Sequence, residues 1–103
     1  MLRNKHLPLT ETTHYILLAL TTPLHGYGAI QKIEELSNEE VKIAAGTMYG
    51  AIENLLKLKW ITEVPSEDKR RRVYQITDKG KEVLSLELKR MTQLARLTEQ
   101  LGY

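Results

Sequence analysis

The chain predicts a mainly α-helical fold with one small β-hairpin and a long final helix, and three features carry that expectation. Apolar residues recur at helical spacing in four stretches, two short segments alternate apolar with polar residues around a turn-rich loop, and the last apolar stripe is longer than a small domain can cover. With 103 residues, 42% of them hydrophobic, the chain suits a globular unit that can bury a core and still gain from a partner chain.

Residues 1–9 contain Pro8 and little periodicity, which reads as a loose arm pinned by Leu7 and Leu9. Thr10 is an N-cap, and Glu11 puts a carboxylate in the first turn, where it suits the helix dipole. The first helix runs to about Leu20 with Ile16, Leu17 and Leu20 on one face; Thr21-Thr22-Pro23 ends it, because the residue before proline avoids the helical region. His25-Gly26-Tyr27-Gly28 then enters a second helix, with His25 as a cap or packing residue. Tyr27, Ile30, Ile33 and Leu36 give that helix its apolar stripe, and Ser37-Asn38 ends it. Each glycine near its start costs about 1 kcal/mol of helix propensity relative to alanine, so the pair serves either close packing or a close phosphate approach. Residues 41–44 are a short strand or merely a turn.

Gly46 opens a third helix, in which Met48, Ile52, Leu55 and Leu56 fall at i, i+4, i+7 and i+8 and face the core. Its other face carries Thr47, Gly50, Asn54 and Lys57, with Tyr49 on the flank either packed on the second helix or reaching a phosphate oxygen. That face is narrow at its start and basic at its end, as a major-groove helix requires. Residues 60–64 and 72–76 alternate apolar with polar and are rich in β-branched and aromatic types, so they pair as a hairpin with Trp60 beneath it. The connecting residues 65–71 include Pro65 and end in cations. Thr77-Asp78 caps the last helix, which runs to about Leu101 before Gly102 and spans about 36 Å.

Net charge is only +2, yet Lys69, Arg70, Arg71 and Arg72 are consecutive. Lys79 and Lys81 follow, Arg3 and Lys5 stand at the start, and Glu34, Glu35, Glu39 and Glu40 gather elsewhere. Taken alone, a basic run is as readily a solvated surface as a binding element. Here it lies in a loop just after a groove-sized helix, an order that nucleic-acid binding explains and few other functions need.

Several classes are excluded. Without cysteine there is no disulfide framework and no thiolate metal site, which fits a reducing cytoplasm. The longest apolar run, residues 15–20, is far short of the roughly 18 residues of a membrane span, and no signal-peptide pattern follows Met1. His6, His14 and His25 are scattered with no HExxH, no GxxxxGK[ST] is present, and Ser37, Ser66 and Ser85 occupy no nucleophile context. The expectation is a cytoplasmic, non-catalytic protein with no metal and no cofactor.

Pro23-Leu24-His25-Gly26-Tyr27, Gly46-Thr47-Met48-Tyr49 and Tyr74-Gln75-Ile76-Thr77-Asp78-Lys79-Gly80, in this order and spacing, resemble the PadR family of winged-helix transcriptional regulators over roughly residues 10–82. The long last helix resembles the single dimerisation helix of the family's shorter members. The resemblance implies a winged helix-turn-helix DNA-binding domain over residues 1–76, a dimerisation helix over residues 77–103, and a homodimeric repressor of a pseudo-palindromic operator. The third helix would enter the major groove, and the hairpin wing would lie on the backbone or minor groove. DNA-facing positions are then Tyr27, Thr47, Tyr49, Gly50, Asn54, Lys57, Lys69, Arg70, Arg71 and Arg72. The dimer interface draws on Ile16 with Leu84, Leu88, Met91, Leu94, Ala95, Thr98 and Leu101, a stripe close to a/d spacing. Family members commonly release DNA on binding a small aromatic or lipophilic effector between subunits, walled by the first and last helices. Three positions depart from the family pattern: Gly50 replaces proline or another small residue, Lys59 the glycine before the wing, and Asp68 the glycine at its tip. The rival reading is a winged-helix interaction module that uses the same basic face to bind an acidic protein.

Overall fold

The computed structural model describes residues 4–103. Arg3, one of the N-terminal cations noted in the sequence, lies outside them. The order is α1 (Glu11–Ala19), β1 (Leu24–His25), α2 (Gly26–Leu36), α3 (Ala45–Lys57), β2 (Ile61–Val64), β3 (Val73–Ile76) and α4 (Asp78–Gln100). The strands form one antiparallel sheet in the order β1-β3-β2. This is the winged-helix arrangement with a C-terminal helix. The added strand β1 pairs Leu24 with Tyr74 and His25 with Val73. Two residues carry no readable alternation, so the hairpin alone was legible; residues 41–44 are neither strand nor helix.

Local chemistry sets the helix ends. Thr10 accepts the Thr13 N–H and Thr77 accepts the Gly80 N–H, both as side-chain caps. Helices α2, α3 and α4 each stop on a left-handed residue: Asn38, Lys59 and Gly102. In each, the two residues after the cap return N–H bonds into the last turn, as in Trp60 N to Leu55 O at 3.1 Å and Lys59 N to Leu56 O at 3.0 Å. Lys59 holds φ 63° without the freedom of glycine.

The core gathers Ile16, Leu17 and Leu20 of α1, Ala29 and Ile33 of α2, Met48, Ile52 and Leu55 of α3, Trp60 and Ile61 beneath the sheet, and Val83 of α4. Leu7 and Leu9 pin the arm against it, and His6 meets the Trp60 ring edge-on at 5.3 Å. Two expectations need correction. On α2 the buried face is Gly26, Ala29 and Ile33, while Tyr27 and Leu36 are exposed and Ile30 half-buried, because small residues let α2 approach its neighbours closely. Ile16 is completely buried within its own chain and offers nothing to a partner; α1 turns Leu18 outward instead. A six-residue run of apolar side chains hides which face points in.

One junction joins five elements. Ile76 N donates to Leu20 O at 2.8 Å, Thr77 N to Trp60 O at 2.9 Å, and the Thr77 hydroxyl to Lys59 O at 2.7 Å. Gly80 packs against the same Trp60 carbonyl so closely that a Cβ there would stand 2.2 Å from the oxygen. Gly50, in the middle of α3, has open space around it. Gly80→Ala is therefore expected to lower the unfolding free energy by about 2 kcal/mol or more. Gly50→Ala is expected to raise it by about 1 kcal/mol. Denaturant titration of both variants checks the contrast.

Candidate nucleic-acid interface

Helix α3 presents Thr47, Gly50, Asn54 and Lys57 to solvent along one side, opposite the buried Met48, Ile52 and Leu55. Ala44 gives no side-chain cap, so the first N–H groups of α3 remain without a local acceptor. Beside it the wing loop, residues 65–72, is shaped by Asp68. Its Oδ1 accepts Arg70 N at 2.9 Å, its carbonyl accepts Arg71 N at 3.0 Å and the Ser66 hydroxyl at 3.0 Å, and its carboxylate stands 3.5 Å from Arg70 Nε. An Asx turn thus holds the tip without a left-handed residue.

Helix and wing border one groove of about 690 Å³, lined by Tyr27, Tyr49, Glu53, Arg70, Arg71 and Arg72 together with His25. Half of the ten residues expected to face DNA therefore line one groove. Thr47, Gly50, Asn54, Lys57 and Lys69 are exposed but outside that lining. Tyr49 lies against Gly26, where an added Cβ would be 2.8 Å from its ring, yet it remains 44% exposed. Packing on α2 and availability to a ligand are thus compatible, and Gly26 serves close packing. His25 and Glu53 were not expected in the groove. His25 was legible only as a cap or packing residue, and it caps α2, accepting Gly28 N at 3.0 Å. Glu53 sits one helical turn after Tyr49, a spacing that puts the two on the same side of α3. Chemically, the arginines suit phosphate oxygens, and a carboxylate at the groove can accept from an exocyclic base amine.

Residues 16–86 match the Transcriptional regulator PadR-like family. The chain belongs to that family. Solved structures agree in fold. A PadR-like transcription factor of Bacteroides fragilis superposes with a TM-score of 0.75 at 21% identity, over 88% of this chain and 89% of that one. A transcriptional regulator of Clostridium thermocellum gives 0.71 at 21% identity, over 90% and 93%. A PadR family regulator of Clostridium difficile gives 0.70 at 19% identity, over 86% and 96%. No curated protein matches the sequence. Among the described residues of this PadR-family chain, no helix is long and apolar enough to cross a membrane.

Away from the groove, Glu87 of α4 is 1% exposed. Its carboxylate accepts Arg90 Nε from the next turn and Leu9 N of the arm at 2.7 Å. The Arg90 hydrogen bond holds its pKa below the usual carboxylate value of 4.5; burial opposes this, while the Leu9 N–H and the Arg90 and His14 charges add to it. The Arg90 guanidinium is shifted upward by the same bond. Beside this pair a cavity of about 470 Å³ opens between α1 and α4, bordered by His14, Tyr15, Leu18, Arg90 and Met91. A carboxylate whose folded pKa is depressed stabilises the fold above its unfolded pKa, and that contribution is lost as pH falls through the folded value. Wild-type protein should therefore exceed Glu87→Gln in stability near neutrality, and the gap should shrink as acid titrations pass below 4.5. Parallel thermal melts across that range check the sign.

Proposed function

We propose that this chain is a homodimeric, sequence-specific DNA-binding repressor, acting in the cytoplasm. The observation that carries the reading is the groove shared by α3 and the arginine-tipped wing, because a helix of this width beside convergent guanidiniums is complementary to a duplex edge. In this reading residues 1–76 meet DNA, with α3 in the major groove and Thr47, Asn54 and Lys57 toward base edges and phosphates. Residues 77–103 pair two copies. Support for pairing is the exposed apolar stripe Leu88, Met91, Leu94 and Leu101, with Ala95 and Thr98 among them, on a helix whose buried residues all lie in its first half. Leu84 is half-buried at the edge of the protomer core. An effector, aromatic or lipophilic, would enter between α1 and α4, where Tyr15, Leu18 and Met91 already border a cavity.

Two symmetry-related α3 helices predict a pseudo-palindromic operator with half-sites about one helical turn, roughly 10 bp, apart. Genome-wide recovery of bound fragments followed by gel shifts at moderate salt should show preference over random DNA; equal binding to both would refute specific recognition. Substituting Thr47 and Asn54 with alanine should erode that preference, whereas indifference would favour the acidic-protein partner.

Replacing Arg70, Arg71 and Arg72 with alanine should weaken binding to all sequences alike. The slope of log affinity against log salt should fall by about 1 for each phosphate that the wing no longer neutralises. An unchanged slope removes the wing from the interface. Exchanging Leu88 and Leu94 for lysine should convert the dimer to monomer in sedimentation and reduce operator affinity by at least about 100-fold through lost bivalency. A sedimentation coefficient unaltered by these changes contradicts pairing through α4.

A further inference from the structure

Two hydrogen-bond donors converge on His25. Its Nδ1 accepts the Gly28 N–H at 3.0 Å, and its Nε2 stands 3.0 Å from Nη1 of Arg71. A neutral imidazole has one accepting and one donating nitrogen, and a guanidinium only donates. Only one of the two contacts can be a hydrogen bond. The Gly28 N–H belongs to a helix start and has no intrahelical acceptor, whereas the Arg71 side chain is 61% exposed and has water as an alternative. The cap prevails, which makes His25 the Nε2–H tautomer. Nε2–H and Arg71 Nη1–H then face each other with no acceptor between them.

Such a pair is complementary to an anion. It lies in the groove already described, with Arg70, Arg72, Tyr27 and Tyr49 around it and Glu53 as the one carboxylate among the lining residues. The β1–β3 register, with His25 opposite Val73, fixes the ring at the base of the wing rather than leaving the contact to chance. We propose that His25 and Arg71 jointly bind one backbone phosphate oxygen of the duplex, the ring donating Nε2–H and the guanidinium turning from the ring onto the same oxygen. This rests on the DNA-binding reading and adds to it a residue that reading does not use. A phosphate held this way couples the wing to the start of α2.

Nitrogen-15 NMR of the free protein tests the tautomer without DNA: Nε2 of His25 is expected to carry the proton, and a protonated Nδ1 would overturn the proposal. His25→Ser keeps a capping oxygen but reaches nothing in the groove. It should melt close to wild type and bind operator about 10-fold more weakly. Equal affinity would contradict it. If the variant melts early, the wild-type His25 signals decide: operator should shift the Nε2 resonance, and no shift overturns the assignment. Inorganic phosphate that shifts the resonance as strongly as operator would make a free anion the ligand and overturn the duplex assignment. Wild-type protein that binds no DNA fails the broader reading, an outcome the tautomer measurement distinguishes.

Discussion

Close approach of Gly80 to the Trp60 carbonyl is the constraint on which the rest of this structure depends. The carbonyl accepts from Thr77 N while Gly80 lies against it, and the Thr77 hydroxyl bonds the neighbouring Lys59 carbonyl. At this point the end of α3, the first residue before β2, the end of β3 and the start of α4 become one rigid unit, and Ile76 ties α1 to it through Leu20 O. A side chain at residue 80 would part α4 from the hairpin. The direction of α3, the reach of the wing and the course of the long helix all leave from there, so the two exposed surfaces of the molecule have a common origin.

That common origin matters because neither surface is held by many interactions of its own. The wing is a four-residue hairpin ladder with an Asx turn at its tip, and Arg70 and Arg71 form long, exposed ion pairs with Asp68. Exposed pairs of this kind contribute little to stability. They leave the guanidiniums available while the backbone of the loop stays ordered. The outer half of α4 likewise carries an uncovered apolar stripe, and the helix is anchored through Gly80, Val83, Leu84 and Glu87 in its first half. Exposure that costs stability in the isolated chain is what a binding surface requires.

Much of this was legible from residue order. Thr10 and Thr77 announce themselves as caps, Met48, Ile52 and Leu55 repeat at core spacing, and the alternation around residues 65–71 reads as a hairpin. What escaped did so for identifiable reasons. Strand β1 has two residues and exists only because β3 pairs with it, a long-range fact. On α2, the large side chains Tyr27 and Leu36 drew the stripe outward, whereas Ile33 makes its contact together with glycine and alanine, whose weight in any apolar count is small. Ile16 and Leu18 lie in an unbroken apolar run, so only the packed helix distinguishes inside from outside. Glu87 is a charged residue in a polar-looking helix; its burial follows from Arg90 three residues on and from an N–H that arrives from the arm, 78 positions away in sequence. His25 was the least readable part of the candidate site, because its contact with Arg71 depends on the β1–β3 register.

The proposed role turns on α3 and the wing addressing one stretch of duplex together. The chain has no cysteine, so a cleavage reagent can be tethered at a single introduced thiol, at Asn54→Cys on the helix or at Lys69→Cys on the wing. With each labelled protein bound to operator, the account predicts cuts in the same half-site, from the major groove for the first and from the adjoining backbone or minor groove for the second. Cleavage by only one of the two, or cuts that share no half-site, would contradict it.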